Sequence, residues 1–208
     1  SKGYSPKEKE IVAFHEAGHA LVASALPQAD PVHKISIISR GRAGGYTLKL
    51  PSEEINFYSK AKFMDELATL LGGYAAERTV FNDVTTGPCS DLRIASDLAR
   101  RIVTEYGMSE KMGPITFGEK DEMIFLGKEI GEQRNYSEKV AAEIDGEVSS
   151  FIKNAQTTAQ KILKNKRTLL DKIANALFEK ETIEREEFEK LIKPGKVARV
   201  GKFKVKRV

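Results

Sequence analysis

The sequence predicts a mainly α-helical domain with a small β-ribbon and a C-terminal helical bundle. Apolar residues recur at threes and fours in several segments, which is the spacing of one helix face. One β-branched run, bounded by proline and glycine, stands out against this helical pattern. Of the 208 residues, 40% are hydrophobic and 31% are charged, which is typical of a globular protein rich in charged helices.

The first predicted helix begins at a strong local signal. Ser5 can cap it, Pro6 occupies the first helical position, and Glu8 stands three residues after Ser5 to complete a capping box. An apolar face follows, and Pro27 ends the helix. Residues near position 15 therefore lie in the middle of a helix, where the backbone is stiff.

The middle of this helix carries the motif H-E-x-x-H at residues 15–19. Positions i and i+4 share one face of a helix, so His15 and His19 can direct their imidazoles at one point. Two such nitrogens supply half of a tetrahedral zinc site, and Glu16 can take a proton from a zinc-bound water. Short motifs also match by chance, but two of the chain's three histidines fall at this spacing. We therefore favour a metal site.

A β-ribbon is predicted directly after the first helix. Val32–Ser39 reads as one strand, residues 40–45 as a glycine-rich turn, and Tyr46–Leu50 as the returning strand. Two strands alone are marginal, so the ribbon must pack on another element. If one edge stays open beside the metal, an extended peptide can add to it as a further strand. His33 lies on this ribbon and is not expected to reach the metal.

Helices are predicted again from about Ile55 to Arg78 and from Ser90, as N-cap, to about Gly107. Glycines 72 and 73 interrupt the first of these, which suggests close packing against the motif helix. Residues 82–90 form the loop between the two helices. Asp91 would then lie in the first turn of the second helix, where the helix dipole favours a carboxylate.

The C-terminal half reads as a long loop followed by helices. Residues 108–136 form the loop, 137–164 and 168–180 two amphipathic helices, and a last short helix begins at Thr182 and ends before Pro194. The expected division is a zinc-binding catalytic subdomain at 1–136, a helical subdomain at 137–193 and a basic tail at 194–208. The net charge of +4 comes largely from this tail, and we expect no nucleic-acid partner.

The third protein ligand of the metal must be a carboxylate distant in sequence. No G-x-x-H continuation follows the motif, the chain has a single cysteine, and His33 is poorly placed. Two candidates remain open. Glu77 lies on the helix after the ribbon, and Asp91 lies at the start of the next helix.

Several segments together resemble the proteolytic domain of the FtsH family of membrane-bound, ATP-dependent zinc metalloproteases. The resemblance covers nearly the whole chain. The matching segments are FHEAGHALV at 14–22, DPVHKISIISRGRAGGYT at 30–47, LLGGYAAE at 70–77, TTGPCSD at 85–91, MGPITFG at 112–118 and FLGKE at 125–129.

The resemblance implies one Zn²⁺ per chain, bound by His15, His19 and Asp91, with Glu16 as the catalytic base. Glu77 would then have a supporting or structural role. The family's substrate-binding strand edge corresponds here to Ile35, Ser36, Ile37, Ile38 and Ser39. The implied reaction is hydrolysis of peptide bonds in unfolded or motor-delivered polypeptides, as part of protein quality control.

The resemblance also implies a homo-hexamer and an ATPase domain in the same parent protein, on the cytoplasmic face of the bacterial inner membrane. This sequence has no G-x-x-x-x-G-K-[ST] loop and no apolar run of 18 residues, so ATP would act only through a domain outside it. Two alternatives stay open: a zinc peptidase without an ATPase partner, and a non-catalytic assembly or binding module. The intact histidines, glutamate and aspartate disfavour the second.

Overall fold

The computed structural model describes residues 3–38, 46–49, 57–120 and 132–193, and within these ranges the chain is mainly helical, as predicted. The helices are α1 Pro6–Ala25, α2 Lys60–Leu70, α3 Gly72–Phe81, α4 Cys89–Thr104, α5 Glu138–Asn165, α6 Arg167–Lys180 and α7 Arg185–Ile192. The strands are β1 Val32–Ser36, β2 Tyr46–Lys49, β3 Glu119–Lys120, β4 Glu132–Gln133 and β5 Thr182–Glu184.

Helix α1 begins with the predicted capping box. The Glu8 N–H donates to the Ser5 hydroxyl at 3.2 Å, and the Ser5 N–H donates to Glu8 Oε2 at 2.8 Å, with Pro6 at the first helical position. The two bonds satisfy backbone donors that the first turn would otherwise leave unpaired. Residues 13–23 of α1 are buried without interruption, so the H-E-x-x-H motif lies in the middle of a buried helix.

Helices α1 and α3 cross at a pair of glycines. A Cβ atom on Gly18 would lie 2.4 Å from the Gly72 carbonyl oxygen and 2.6 Å from Ala76 Cβ, and a Cβ on Gly72 would lie 2.8 Å from the Gly18 oxygen. The prediction that the glycine pair packs against the motif helix is confirmed. The predicted single helix over 55–78 is instead two helices, separated at Leu71.

The β-ribbon is part of a three-stranded antiparallel sheet with the order β2-β1-β5. Strand β5 comes from residues that the sequence analysis assigned to the start of the last helix, and that assignment was wrong. Glu181 ends α6 in the left-handed conformation, with φ 65°, and the chain then runs extended beside β1. The reason is burial: Ile183 pairs with Ile35, and both side chains are fully buried. Helix α7 begins only at Arg185.

Strand β1 is paired on both of its edges. Lys34, Ile35 and Ser36 are each opposite a residue of β2 and a residue of β5, and the Ile37 N–H donates to the Glu181 carbonyl. The open edge that peptide addition would require is therefore not available at these positions. Substrate contacts at residues 35–38 stay a prediction; Ile38 is about half exposed, whereas the three residues before it are buried. Ser39 lies outside the described residues.

Helix α4 begins one residue before the predicted cap. Pro88 is the N-cap residue, and Ser90 lies inside the first turn without a capping hydrogen bond. The cause is a turn in which the Cys89 N–H donates to the Thr86 carbonyl while the Leu92 N–H already bonds to Pro88. Asp91 is in the first turn, as predicted. Within the predicted long loop, β3 and β4 form an antiparallel pair, and residues 121–131 lie outside the description.

The C-terminal helices pack directly on the N-terminal ones. Helix α5, capped by the Ser137 hydroxyl, contacts α2, α3 and α4, and α6 packs along α1. One apolar core joins these elements, including Leu21 of α1, Leu163 of α5 and Leu177 of α6. The division into subdomains at residue 136 stays a prediction, and the basic tail lies outside the described residues. Among the described helices, none is both long and apolar enough to cross a bilayer.

We predict that Gly18→Ala destabilises the protein because the added methyl group meets backbone and Ala76 at the helix crossing. We expect a loss of about 1–3 kcal/mol in the free energy of unfolding of the metal-free protein, measured in urea. Gly146→Ala in α5 is the matched control, since its Cβ would meet no atom within 4 Å. It should gain about 0.5–1 kcal/mol. Equal changes in the two variants would contradict the close crossing.

Candidate metal centre

The two motif histidines face each other across one turn of α1. Both are almost fully buried, their ring centroids are 4.7 Å apart, and their Nε2 atoms are separated by 3.0 Å. The i, i+4 spacing and the stiff centre of a buried helix direct the two nitrogens toward one point between them.

Asp91 completes a cluster of three atoms. Its Oδ2 lies 3.0 Å from the Nε2 atoms of both His15 and His19. Within the described ranges, this is the one group in which three His, Cys, Asp or Glu side chains can share a metal ion. The Asp91 side chain is 25% exposed and the two histidine side chains are 10% and 11% exposed, so the cluster is accessible from the Asp91 side.

The opposite nitrogen of each ring is held by an acceptor. His19 Nδ1 donates to the Thr69 carbonyl oxygen at 2.7 Å, and His15 Nδ1 lies 2.8 Å from Glu77 Oε2. A carbonyl can only accept, so in neutral His19 the proton is on Nδ1 and a lone pair is on Nε2. The ionised Glu77 imposes the same tautomer on neutral His15.

This arrangement fits a zinc ion. Two nitrogen lone pairs and a carboxylate oxygen, all acceptors, converge at 3.0 Å separations, and a cation at their centre removes the repulsion between them. Imidazole nitrogen and carboxylate oxygen are zinc ligands with bonds of about 2.0–2.2 Å, short enough for one ion to bridge such a cluster. Orienting partners on the far nitrogens are usual for metal-binding histidines.

The structure separates the two carboxylates that the sequence left as alternatives. Asp91 faces the Nε2 atoms, where a metal would lie, and Glu77 faces the Nδ1 atom on the other side of the His15 ring. Glu77 is buried on α3, with 1% exposure, and the Thr85 backbone N–H and hydroxyl both donate to its Oε1. Burial alone would raise the pKa of Glu77, but the hydrogen bonds from His15 and Thr85 outweigh it and lower the pKa.

Without a metal, the carboxylates around His15 stabilise the protonated form of its ring. Burial alone would lower the pKa of His15, but hydrogen bonds to Asp91 and Glu77, together with the nearby charge of Glu16, raise it to about 10. Burial acts to raise the pKa of Asp91, yet its close contacts with the two histidines hold it well below its usual range. Because the carboxylates stay ionised at neutral pH, the site favours a cation, whether that is a proton on His15 or a metal ion.

Glu16 and His33 have different places relative to the cluster. Glu16 follows His15 on α1, is 5% exposed, and lies close enough to His15 to act on its charge. His33 lies on β1 and is outside the three-residue group. Two partners of the site had no signal in the sequence: the Thr69 backbone carbonyl, which no side-chain pattern reveals, and Thr85, a loop threonine next to another threonine.

Comparison with known proteins finds one peptidase family and relatives that are all named as zinc metalloproteases. The sequence model of Peptidase family M41 matches residues 2–191. The chain is 52% identical over 92% of its length to "ATP-dependent zinc metalloprotease FtsH 1" of Thermoanaerobacter sp., covering 31% of that protein. It is 52% identical over 92% of its length to "ATP-dependent zinc metalloprotease FtsH" of Caldicellulosiruptor bescii, and covers 31% of that protein. It is 53% identical over 92% of its length to "ATP-dependent zinc metalloprotease FtsH 1" of Thermomicrobium roseum, and covers 29% of that protein. The chain thus spans less than a third of the length of these relatives.

We predict that Asp91→Ala and Glu77→Gln differ in their effect on zinc. Asp91→Ala removes one of the three converging atoms and should abolish stoichiometric zinc after dialysis against a weak chelator. Glu77→Gln leaves one acceptor oxygen where His15 Nδ1 and Thr85 each need one, so it weakens the support of the His15 ring without removing a converging atom. It should keep one zinc per chain with affinity lowered by about 10–100-fold.

Asp97→Ala is the matched control, because Asp97 is an exposed aspartate on the same helix. Zinc content is measured by mass spectrometry, and affinity by competition with a chromogenic chelator. Full zinc in Asp91→Ala, together with loss of zinc in Glu77→Gln, would contradict the placement of the two carboxylates.

Proposed function

The chain belongs to peptidase family M41 as the proteolytic domain of an FtsH-type metalloprotease, and from this membership we propose that it hydrolyses peptide bonds at the His15, His19 and Asp91 cluster. The observation that carries the proposal is the convergence of two imidazole nitrogens and one carboxylate oxygen at 3.0 Å. Three protein ligands with access from one side are the donor set of a catalytic zinc site.

Zinc would be held by His15, His19 and Asp91, one ion per chain, and when bound it would acidify a water molecule and polarise the scissile carbonyl. The chain's own contribution is to orient the ligands. Thr69 and Glu77 hold the two Nδ1 atoms, so the Nε2 lone pairs face the ion without rearrangement of the rings. Both rings are almost fully buried, which limits the access of water to the ligand nitrogens.

Glu16 is the general base of the proposed reaction. Its carboxylate oxygen accepts the proton of the attacking water, the hydroxide oxygen bonds to the peptide carbonyl carbon, and the C–N bond breaks. Glu16 returns that proton to the peptide nitrogen as the C–N bond breaks, so the nitrogen leaves as a neutral amine. Its position directly after His15, buried and close to that ring, supports this assignment.

The proposed substrates are unfolded or motor-delivered polypeptides. The relatives are named as ATP-dependent, and the chain corresponds to less than a third of each of them. We therefore propose an ATPase domain elsewhere in the same parent protein. From the resemblance to the FtsH family we also propose that this parent is a homo-hexamer anchored to the cytoplasmic face of a bacterial inner membrane. Ile38 lies two residues after the end of β1 and is about half exposed, so it is the side chain of the predicted substrate strand that a polypeptide could contact most directly.

We predict that Glu16→Gln keeps zinc and loses proteolysis. The amide is nearly the same size but cannot accept the water proton, so cleavage of an unfolded protein such as casein should fall by about 10²–10⁴-fold. Glu10→Gln, an exposed glutamate on the same helix, is the control and should cleave as the unchanged protein does. A Glu16→Gln variant with normal turnover would rule out this base.

We also predict that metal removal abolishes cleavage reversibly. Treatment with 1,10-phenanthroline should stop casein cleavage, and stoichiometric zinc should restore it. Zinc should also raise the midpoint of thermal unfolding, because an ion that binds only the folded chain stabilises it. Binding of casein by the zinc-loaded protein without cleavage would instead support a non-catalytic binding module.

A further inference from the structure

Thr85 makes two hydrogen bonds to the carboxylate behind His15. Its backbone N–H donates to Glu77 Oε1 at 3.0 Å, and its hydroxyl donates to the same oxygen at 2.6 Å. The other oxygen of Glu77 faces His15 Nδ1 at 2.8 Å. One carboxylate therefore joins the loop between α3 and α4 to a residue of the metal cluster.

The direction of these hydrogen bonds is fixed by chemistry. Glu77 Oε1 accepts from the Thr85 backbone N–H and from the Thr85 hydroxyl, so the single hydroxyl proton points toward that oxygen. The hydroxyl oxygen is then free to accept, and it takes the Gly87 N–H at 3.0 Å. The Thr85 hydroxyl thus links the Glu77 side chain to the backbone of its own loop.

The same loop delivers Asp91. After Asn82, which ends α3 in the left-handed conformation with φ 54°, the chain turns through residues 83–88 and enters α4. Gly87 lies so close to Thr85 that a Cβ on it would be 3.1 Å from the threonine hydroxyl. Because Asp91 follows Thr85 by only six residues, the attachment of the loop to Glu77 also limits where Asp91 can lie.

We propose that Thr85 is a positioning residue of the metal site. It holds the Glu77 carboxylate against His15 Nδ1, and it attaches the loop of residues 83–88, which leads to Asp91, to Glu77. The inference rests on the proposed zinc site. In the absence of the hydroxyl, Glu77 Oε1 keeps only one donor in a buried environment, and the carboxylate is less restrained toward His15. The ligand ring is then less well oriented for zinc.

The test uses Thr85→Val and Thr85→Ser in the zinc-free and zinc-loaded protein. Valine keeps the branched shape and the backbone N–H but removes the hydroxyl, whereas serine restores the hydroxyl. Thr86→Val is the matched control, because Thr86 is the next residue, is also exposed, and makes no side-chain hydrogen bond to another described residue. The readouts are zinc affinity by chelator competition, the visible spectrum of the Co²⁺-substituted protein, and urea unfolding without metal.

We expect zinc affinity to fall by about 10-fold in Thr85→Val, at the low end for a partner of a metal ligand, and to stay within about 2-fold in Thr85→Ser and Thr86→Val. The Co²⁺ spectrum should change only in the valine variant. Metal-free stability should fall by less than zinc affinity does, because Glu77 Oε1 keeps the Thr85 backbone donor. An unchanged affinity in Thr85→Val, with one zinc bound to the unsubstituted protein, would overturn this inference alone. Absence of zinc from the unsubstituted protein would overturn the proposed function and this inference with it.

A double-mutant cycle with Glu77→Gln identifies the route of the effect. If Thr85 acts through Glu77, the valine substitution should change zinc affinity by less than about 2-fold in the Glu77→Gln background. A full 10-fold loss in that background would overturn the route through Glu77. Thr85→Val could also lower the free energy of unfolding of the metal-free protein by as much as it weakens the free energy of zinc binding. Thr85 would then be a general anchor of the loop, and its positioning role would be overturned.

Discussion

The structure depends on one constraint: His15, His19 and Glu77 are buried where helix α1 crosses α3, and the partly exposed Asp91 of α4 lies against both histidines. Burying charged groups is costly unless each finds a partner. His15 lies between Glu77 and Asp91, and His19 lies between Asp91 and the Thr69 carbonyl, so the neighbouring elements supply those partners. Helix α2 supplies the Thr69 carbonyl, α3 supplies Glu77 and α4 supplies Asp91 to the two histidines of α1.

The helix crossing and the break after α2 both bring polar partners to the buried histidines. Gly18 and Gly72 let α3 approach α1 closely enough for Glu77 to reach His15, and a Cβ on Gly73 would lie 2.4 Å from the His15 ring. The separation of α2 from α3 at Leu71 leaves Thr69 in the last turn of α2, where carbonyl groups take partners from outside the helix. His19 is that partner.

Local sequence signals predicted the parts of the fold that depend on near neighbours. The capping box at Ser5, the helical spacing of His15 and His19, and the glycine pair at the crossing all appear as predicted. Strand β5 was missed because Ile183 becomes extended only through pairing with Ile35, nearly 150 positions earlier. Spacing alone also could not decide between Glu77 and Asp91, since both reach the same histidine and only the side of the ring distinguishes them.

The most direct test of this account is a crystal structure of the zinc-loaded protein with anomalous diffraction measured at the zinc absorption edge. We expect one anomalous peak per chain, bonded to His15 Nε2, His19 Nε2 and an Asp91 carboxylate oxygen, with Glu77 still on His15 Nδ1. A peak bonded to Glu77 in place of Asp91, or a zinc ion bound away from the two histidines, would contradict the central claim.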